Sequence, residues 1–403
     1  MATTSAFTTK CSVAESARRL PSLLVFSDDW GRHPSSCQHL VRRLLDRHEV
    51  YWINTIGTRK PRLDLATLRR GFGKIRQWLG PKGERKPLPD NLQVRNPRMW
   101  PSFGSRFSRW LNRRLLGRQL TRLVQGLPEP PVALTTIPIV ADLVGILPVR
   151  RWVYYCVDDF SKWPGLDQGT MQAMEEQLVQ RADALVAVSE TLQERLAGMG
   201  RTAELLTHGV DTEFWTADSS GKELQELAGL ERPLIVFWGV IDRRMDVALV
   251  KELSARLERG TVLLVGPEND PDPALYEPAR VVRRPPLAFE DLPELARAAD
   301  VLVMPYADLP VTRAMQPLKL KEYLATGKPA VVRDLPANRA WADCLDLADS
   351  PAAFAEAVQL RLTTGLPKEQ RQARTRLAGE GWSAKALVLE KALMGESSSH
   401  AGG

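Results

Sequence analysis

Short apolar runs separated by amphipathic stretches recur along the whole chain. In the first half, SLLVFS (22–27), VYWINT (50–55), VALTT (132–136), VYYCVDD (153–159) and ALVAVS (184–189) are apolar on both faces. Strands of this kind, alternating with helical periodicity such as that near 37–46, belong to parallel sheets covered by helices on both sides. A turn-rich stretch, HGVDTEFWTADSSG, interrupts the pattern, which restarts with PLIVFWG (233–239), TVLLVG (261–266), RVV (280–282), VLVMPY (301–306) and PAVV (329–332). A helical tail over 367–393 ends it. The pattern predicts an α/β chain of two Rossmann-like domains whose strand ends face each other across a cleft, where open sheets bind ligands. The expected boundaries are a disordered tail at 1–20, a first domain at 21–207 with a basic insertion at 59–118, a linker at 208–232, a second domain at 233–365, helices at 366–395 packing back towards the first domain, and a second disordered tail at 396–403.

The segment MQPLKLKEYLATGKPAVV (315–332) joins a polar loop to a short helix and then to a buried strand. Pro317 suits the first turn of a helix and Gly327 the position just past its end, so the spacing predicts a helix over about 317–326. Leu320, Tyr323 and Leu324 form its apolar face. The loop before it is aimed at the helix N-terminus, where free N–H groups and the dipole favour a phosphate. Lys319 in the first turn opposes that dipole, which a partner anion would explain, and Glu322 can accept two hydrogen bonds from a vicinal diol. Two solvated charges on an ordinary amphipathic helix give the same pattern.

Charge adds a second feature. The net charge is +7, yet 59–118 holds seventeen Lys or Arg against three Asp or Glu, so the remainder of the chain is net acidic. Leu65, Leu68, Phe72, Ile75 and Leu79 repeat at helical spacing among Arg69, Arg70, Lys74 and Arg76. Phe103, Phe107, Trp110 and Leu111 do so among Arg106, Arg109, Arg113 and Arg114. Two basic amphipathic helices with aromatic residues are the pattern of a segment lying on an anionic membrane. Core packing with solvated arginines is the plain alternative. A nucleic acid would also be attracted, but no nucleic-acid-binding motif accompanies the charge and none is expected as partner.

Other chemistries are argued against. Neither half carries GxGxxG or a phosphate loop, which disfavours a dehydrogenase or a phosphate-loop ATPase. Cys11, Cys37, Cys156 and Cys344 show no CxxC pair and no metal-like spacing with the histidines, and read as unpaired thiols in a reducing compartment. Asp270-Pro271-Asp272 sits in a proline-rich turn and is read as a turn, so neither metal nor cofactor is expected. The first twenty residues lack the apolar run of a signal peptide, and the longest apolar stretch, from Pro131, carries Asp142 and three prolines. A cytoplasmic protein resting on the inner face of the plasma membrane is the expected location.

Taken in order, RADALVAVSETLQERL, HGVDTEFW, VFWGVIDRRMD, LLVGP, PPLAFEDLPELARAADVLVMPY and KLKEYLATGKPAVV resemble the segments of group 1 nucleotide-sugar glycosyltransferases of the GT-B fold, over roughly 181–332. The form PLKLKEYLATGKP is similar to the branch that builds cell-surface polysaccharides and their lipid-linked precursors. The resemblance implies a nucleotide-sugar donor whose ribose is held by Glu322, and a diphosphate and sugar met by Met315, Gln316, Pro317 and Leu318. Gly239 and Gly266, at strand ends, join the donor-binding set. Gly209 and Asp211 match the family's linker turn, with His208 where Asn is usual. Two departures stand out. Ala314 occupies the position of the family's first paired glutamate, and Val240 and Met245 occupy its basic positions, which leaves Arg243, Arg244 and Lys319 to stabilise the leaving diphosphate. The resemblance further implies transfer with retention of configuration, the leaving phosphate taking the acceptor proton.

The first domain is expected to bind a lipid-linked or glycan acceptor. Asp158 and Asp159 end a strand and are candidates for binding hydroxyls or for base catalysis. Asp28, Asp29 and Trp30 end the first strand, the Trp as a sugar platform. Either pair of carboxylates equally suits a helix cap. His33 and His39 are weaker candidates. A non-catalytic GT-B-like scaffold, motivated by Ala314 and the displaced basic pair, and a basic nucleic-acid binder are the competing readings, with an epimerase or phosphorylase on the same fold behind them.

Overall fold

The structure is a computed structural model, and it describes residues 20–31, 35–54, 88–163, 166–218 and 221–396. The first basic amphipathic segment around Leu65–Leu79, His33, Cys11 and the parts of the expected tails beyond Glu396 and before Leu20 lie outside the described residues.

The first half runs β1 (Leu23–Ser27), α1 (Ser36–Leu44), β2 (Val50–Asn54), β3 (Leu92–Arg95), α2 (Arg106–Gln125), β4 (Val132–Thr135), β5 (Arg151–Cys156), α3 (Gln168–Arg181), β6 (Ala184–Ala187), α4 (Glu190–Gly198) and β7 (Glu204–Leu205). Its seven strands are parallel in the order β3-β2-β1-β4-β5-β6-β7. Leu23, Leu24 and Val25 are fully buried, as a strand covered on both faces requires. A short 3-10 helix, Pro138–Leu143, follows β4.

The second half runs α5 (Thr212–Thr216), β8 (Leu234–Trp238), β9 (Ile241–Asp242), α6 (Val247–Arg256), β10 (Thr261–Val265), β11 (Glu268–Asn269), β12 (Val281–Arg284), α7 (Leu292–Ala298), β13 (Val301–Met304), α8 (Pro310–Ala314), α9 (Leu318–Ala325), β14 (Ala330–Arg333), α10 (Pro336–Arg339), β15 (Asp346–Ala348), α11 (Pro351–Thr364), α12 (Lys368–Ala373) and α13 (Trp382–Met394). The main sheet is ordered β12-β10-β8-β13-β14-β15. In each half the order reverses beside the first strand, between β1 and β4 and between β8 and β13. These are the switch points at which an open parallel sheet leaves a crevice.

The chain crosses between halves twice. Val210 and Gly381 bridge the two crossings side by side. Beyond the second, α13 returns to the first half, where Leu389 and Leu393 are fully buried in its core and His48 and Arg47 meet Glu390 at 3.0 and 2.6 Å.

Helix α2 divides the aromatic residues that the sequence pattern places on one face. Phe103 is buried ahead of the helix, Ser105 caps it, and Phe107 and Trp110 face outwards at 67% and 50% exposure. Ser108, Asn112, Leu116, Leu120 and Val124 face inwards. The polar Asn112 belongs there because its side chain satisfies the backbone of Trp100 at 2.6 and 3.0 Å and of Ser102 at 2.9 Å. Among the described residues no helix is long and apolar enough to cross a membrane. Cys37, Cys156 and Cys344 are buried free thiols.

Candidate functional site

Helix α9 begins at Leu318, one residue later than expected, with Pro317 as the extended residue before it. Leu320, Tyr323 and Leu324 are buried, which fixes the opposite side of the helix towards the cleft. Lys319 leans over the end of β8. Its Nζ donates to the Tyr306 hydroxyl at 2.7 Å and lies 5.4 Å from the Phe237 ring centre. A side chain at Gly239 would put its Cβ 2.7 Å from Lys319 Cε, and one at Gly266 would put its Cβ 1.9 Å from the Gly239 carbonyl oxygen. Both glycines also have positive φ, 137° and 154°. The ends of β8 and β10 therefore approach each other and α9 only as glycines.

Glu322, one turn on, is half-buried and accepts from Trp238 Nε1 at 3.5 Å. Burial pushes its carboxyl up to about 7, with Lys319 and Trp238 opposing. A cavity of about 220 Å3 opens beside it, lined also by Phe214, Phe289, His39, Arg43 and Trp382. Phe214 and Phe289 stack at 4.8 Å, and His39 stacks on Trp382 at 4.6 Å. Burial and the neighbouring Arg42 and Arg43 lower the His39 imidazole to about 4, so it is neutral at pH 7.

Arg244 is buried at the cleft. It pairs with Asp242 at 2.9 Å and stacks on Trp163 at 4.8 Å, which belongs to the other half. Its Nη1 points to Met315 Sδ at 3.5 Å, in the loop that leads into α9. Across the cleft, Asp158 follows the end of β5. Burial pushes its carboxyl up to about 7, opposed by Arg244 and reinforced by Asp159. Arg244, Lys319, Glu322 and Asp158 thus border one cleft.

Other expected site residues lie elsewhere or have other partners. Arg243 is half-exposed and turned to Asp270 and Asp272, both at 3.6 Å, which takes it out of the Arg244 cluster. Asp272 caps the turn that follows. Among the described residues no cluster of three His, Cys, Asp or Glu side chains is placed to hold a metal ion. Asp159 caps the 3-10 helix Phe160–Lys162, accepting from Ser161 Oγ at 2.5 Å, and pairs with Arg195 at 3.3 Å. Asp28 accepts from Ser27, Ser35 and Gln38 at 2.8, 3.1 and 3.1 Å, tying β1 to the start of α1, and the Asp29 carbonyl accepts from Gln38 at 3.4 Å. Trp30 packs edge-on against Trp52 at 4.7 Å, and Arg42, which lines the cavity, lies 5.2 Å above its ring. Met315 and Gln316 are buried, and Leu318 packs against the core of the first half.

The position of the missing glutamate has a structural counterpart. Ala314 is buried against the first half's core, and its carbonyl accepts from Ser189 Oγ at 3.0 Å. The larger omission of the sequence reading is Lys321. Buried on the far side of α9, it pairs with Glu380 at 2.5 Å and donates to Thr207 Oγ1 at 3.3 Å and to the His208 carbonyl at 2.5 Å. Burial lowers its ammonium to about 8, with Glu380 opposing. Its neighbour His208 is buried, and burial with Lys321 lowers the imidazole to about 3. Trp163 and Tyr306 were also missed, although both are aromatic residues next to segments that read as strand ends.

Comparisons with known proteins follow the same division. Residues 232–364 match the family described as Glycosyl transferases group 1. A Bacillus subtilis protein, TuaH, assigned by its name to glycosyl transfer in teichuronic acid biosynthesis, is 29% identical over 176 residues, which is 42% of this chain and 44% of TuaH. The matched part thus spans less than half of that relative. Among solved structures, sucrose-phosphate synthase from Thermosynechococcus elongatus has a TM-score of 0.68 at 15% identity, covering 94% of this chain and all of its own. HepE from Anabaena, in complex with UDP-glucose, has a TM-score of 0.63 at 12% identity over 93% of this chain and all of its own. These likenesses concern the fold. The chain is an α/β protein of two Rossmann-like halves in GT-B architecture, and residues 232–364 of its second half are similar to the group 1 glycosyl transferases.

Proposed function

We propose that the protein transfers a sugar from a nucleoside-diphosphate sugar to a lipid-linked or glycan acceptor in polysaccharide biosynthesis, at the inner face of the plasma membrane, with retention of configuration. The observation that carries this reading is the meeting of Arg244, Lys319, Glu322 and the start of α9 at a cleft whose opposite wall holds Asp158. A leaving diphosphate needs fixed positive charge when no cation accompanies it, and Arg244 Nη1, Lys319 Nζ and the first N–H groups of α9 provide it. The cavity at Glu322 suits the nucleoside, with the carboxylate accepting from the ribose diol. The leaving phosphate takes the acceptor proton, and Asp158 binds the acceptor hydroxyl.

TuaH's name supports the polysaccharide setting, and the HepE complex makes UDP-glucose the first donor to try. The test is a thermal-shift panel of nucleoside diphosphates and their sugars, followed by calorimetry. A panel in which no nucleotide raises the melting temperature removes the reading. One observation favours a non-catalytic alternative: Ala314 is packed against the first half where relatives place a glutamate. Turnover of any nucleotide sugar, by transfer or slow hydrolysis, excludes it.

A further inference from the structure

We propose that the outward face of α2 is a docking site for an anionic phospholipid bilayer. This deepens the reading above, by saying how the chain would meet a lipid-linked acceptor. Phe107 and Trp110 stand exposed side by side, ring centres 5.9 Å apart, with the Arg114 guanidinium 5.7 Å from the Trp110 ring. Next to them α2 and Ile146 frame an open groove of about 720 Å3 lined by Trp110, Arg113, Arg114, Arg118 and Arg122. Arg114, Arg118 and Arg122 follow one another at i, i+4 spacing, where like charges disfavour the helix.

Among the described residues none of Arg113, Arg114, Arg118 and Arg122 forms an ion pair with a carboxylate. Arg109 on the same helix shows the contrast, because it turns inwards to Asp142 at 2.6 Å. Four exposed arginines without such pairs can take an anion from outside, and an adjacent exposed aromatic pair suits an amphipathic boundary. A bilayer of anionic lipid supplies both, phosphate for the groove and the acyl boundary for the rings. The orientation also fits. Helix α2 leads from the C-terminal end of β3 to the start of β4, so its aromatic end lies at the sheet end that carries Asp158. Arg109, next to Trp110, reaches Gln177 of α3 at 2.6 Å.

The test is sedimentation of the full-length protein with phosphatidylcholine vesicles and with vesicles containing phosphatidylglycerol, with nucleotide affinity measured on the same samples. Two exposed pairs are changed separately, Arg118→Glu with Arg122→Glu and Phe107→Ser with Trp110→Ser. Binding is expected only to the anionic vesicles, falling as salt rises. Each basic residue contributes roughly fivefold to partition, so charge reversal of two lowers it at least tenfold. The aromatic pair is expected to lower it at moderate salt as well. Nucleotide affinity stays as in the parent. Equal binding to neutral vesicles overturns the proposal, and so does anionic binding that ignores both variants. Tighter retention of labelled RNA or DNA than of anionic vesicles by the same arginines does so too. Absence of nucleotide binding in the parent removes the enzymatic reading and leaves the docking result standing.

Discussion

Helices α9 and α2 are both basic and amphipathic, yet their charges are used in opposite ways. On α9 each ionisable side chain in the middle of the helix has a partner inside the protein: Lys319 the Tyr306 hydroxyl, Lys321 Glu380, and Glu322 the Trp238 indole. On α2 the arginines beyond Arg109 face solvent. A charge held in a crevice acts on a ligand at that point and on the stability of the fold. A charge on an outward face acts mainly on the partner that arrives there. Substitutions on α9 should therefore move stability, binding or turnover, and substitutions on the outer face of α2 should leave all three in place.

The largest effect is expected at Lys321. Changing it to Met leaves Glu380 and Thr207 Oγ1 with Lys385, at 2.8 and 3.1 Å, but strips the donor from the His208 carbonyl where the chain crosses between halves. Removing one member of a buried pair costs about 3 kcal/mol, and the surviving Lys385 keeps the loss near that lower end. Denaturant unfolding is the measurement, and a change within experimental error would show that α9 is not fastened to the hinge by this residue. Next comes Arg244→Gln, expected to lower kcat by about a hundredfold, the usual cost of losing one electrostatic donor to a developing charge. Arg243→Gln beside it serves as the control, since its side chain faces Asp270 and Asp272.

A smaller effect is expected from Glu322→Gln, a loss of about tenfold in nucleotide affinity, in line with hydrogen bonds that lose their charge. The pH dependence has a definite sign. With the carboxyl raised to about 7, the ionised acceptor forms as pH rises through that value, so nucleotide binding by the parent strengthens from pH 6 to 8. Stability runs the other way. The folded state keeps its proton to about 7 while the unfolded chain loses it at the ordinary carboxylate value, so this group's contribution is full at acid pH and is lost as pH rises through 7. The Gln variant should flatten both trends, and binding that weakens with rising pH would count against Glu322 as the ribose acceptor.

The fold was legible because its strands are continuous apolar runs, and a strand buried on both faces has no polar alternative. The elements that escaped notice are the ones without that signature. β3 (LQVR) and β15 (DLA) are short edge strands with polar residues, β7 is two residues long, and α11 has residues on all sides that fit several packings. In the candidate site, the helix and Glu322 were visible from spacing, because Leu320, Tyr323 and Leu324 fix which way the helix turns. Lys321 was not. It sits within the same run of charges, and its partner Glu380 is 59 residues away, at the second crossing between the halves. The direction of α2 stayed open for a related reason. Periodicity marks which residues share a face and leaves open which face the core takes, and Asn112 with its three backbone hydrogen bonds decides for the less apolar side.

The smallest expected effect is the one that sharpens the contrast between the two helices. Arg118→Gln and Arg122→Gln remove two like charges from an exposed face with no ion pair to lose, so unfolding free energy should change by less than about 0.5 kcal/mol. Relief of the repulsion between residues four apart makes a slight gain the favoured sign, about 0.2 to 0.5 kcal/mol at low salt and less as salt screens it. Denaturant unfolding at two ionic strengths measures this. A loss near 1 kcal/mol would mean that these arginines serve the fold after all, and α2 would then resemble α9 in how it uses its charge. A small gain that fades with salt would leave the arginines as charges the protein retains at a cost to its own helix, which is what a surface kept for an external anion requires.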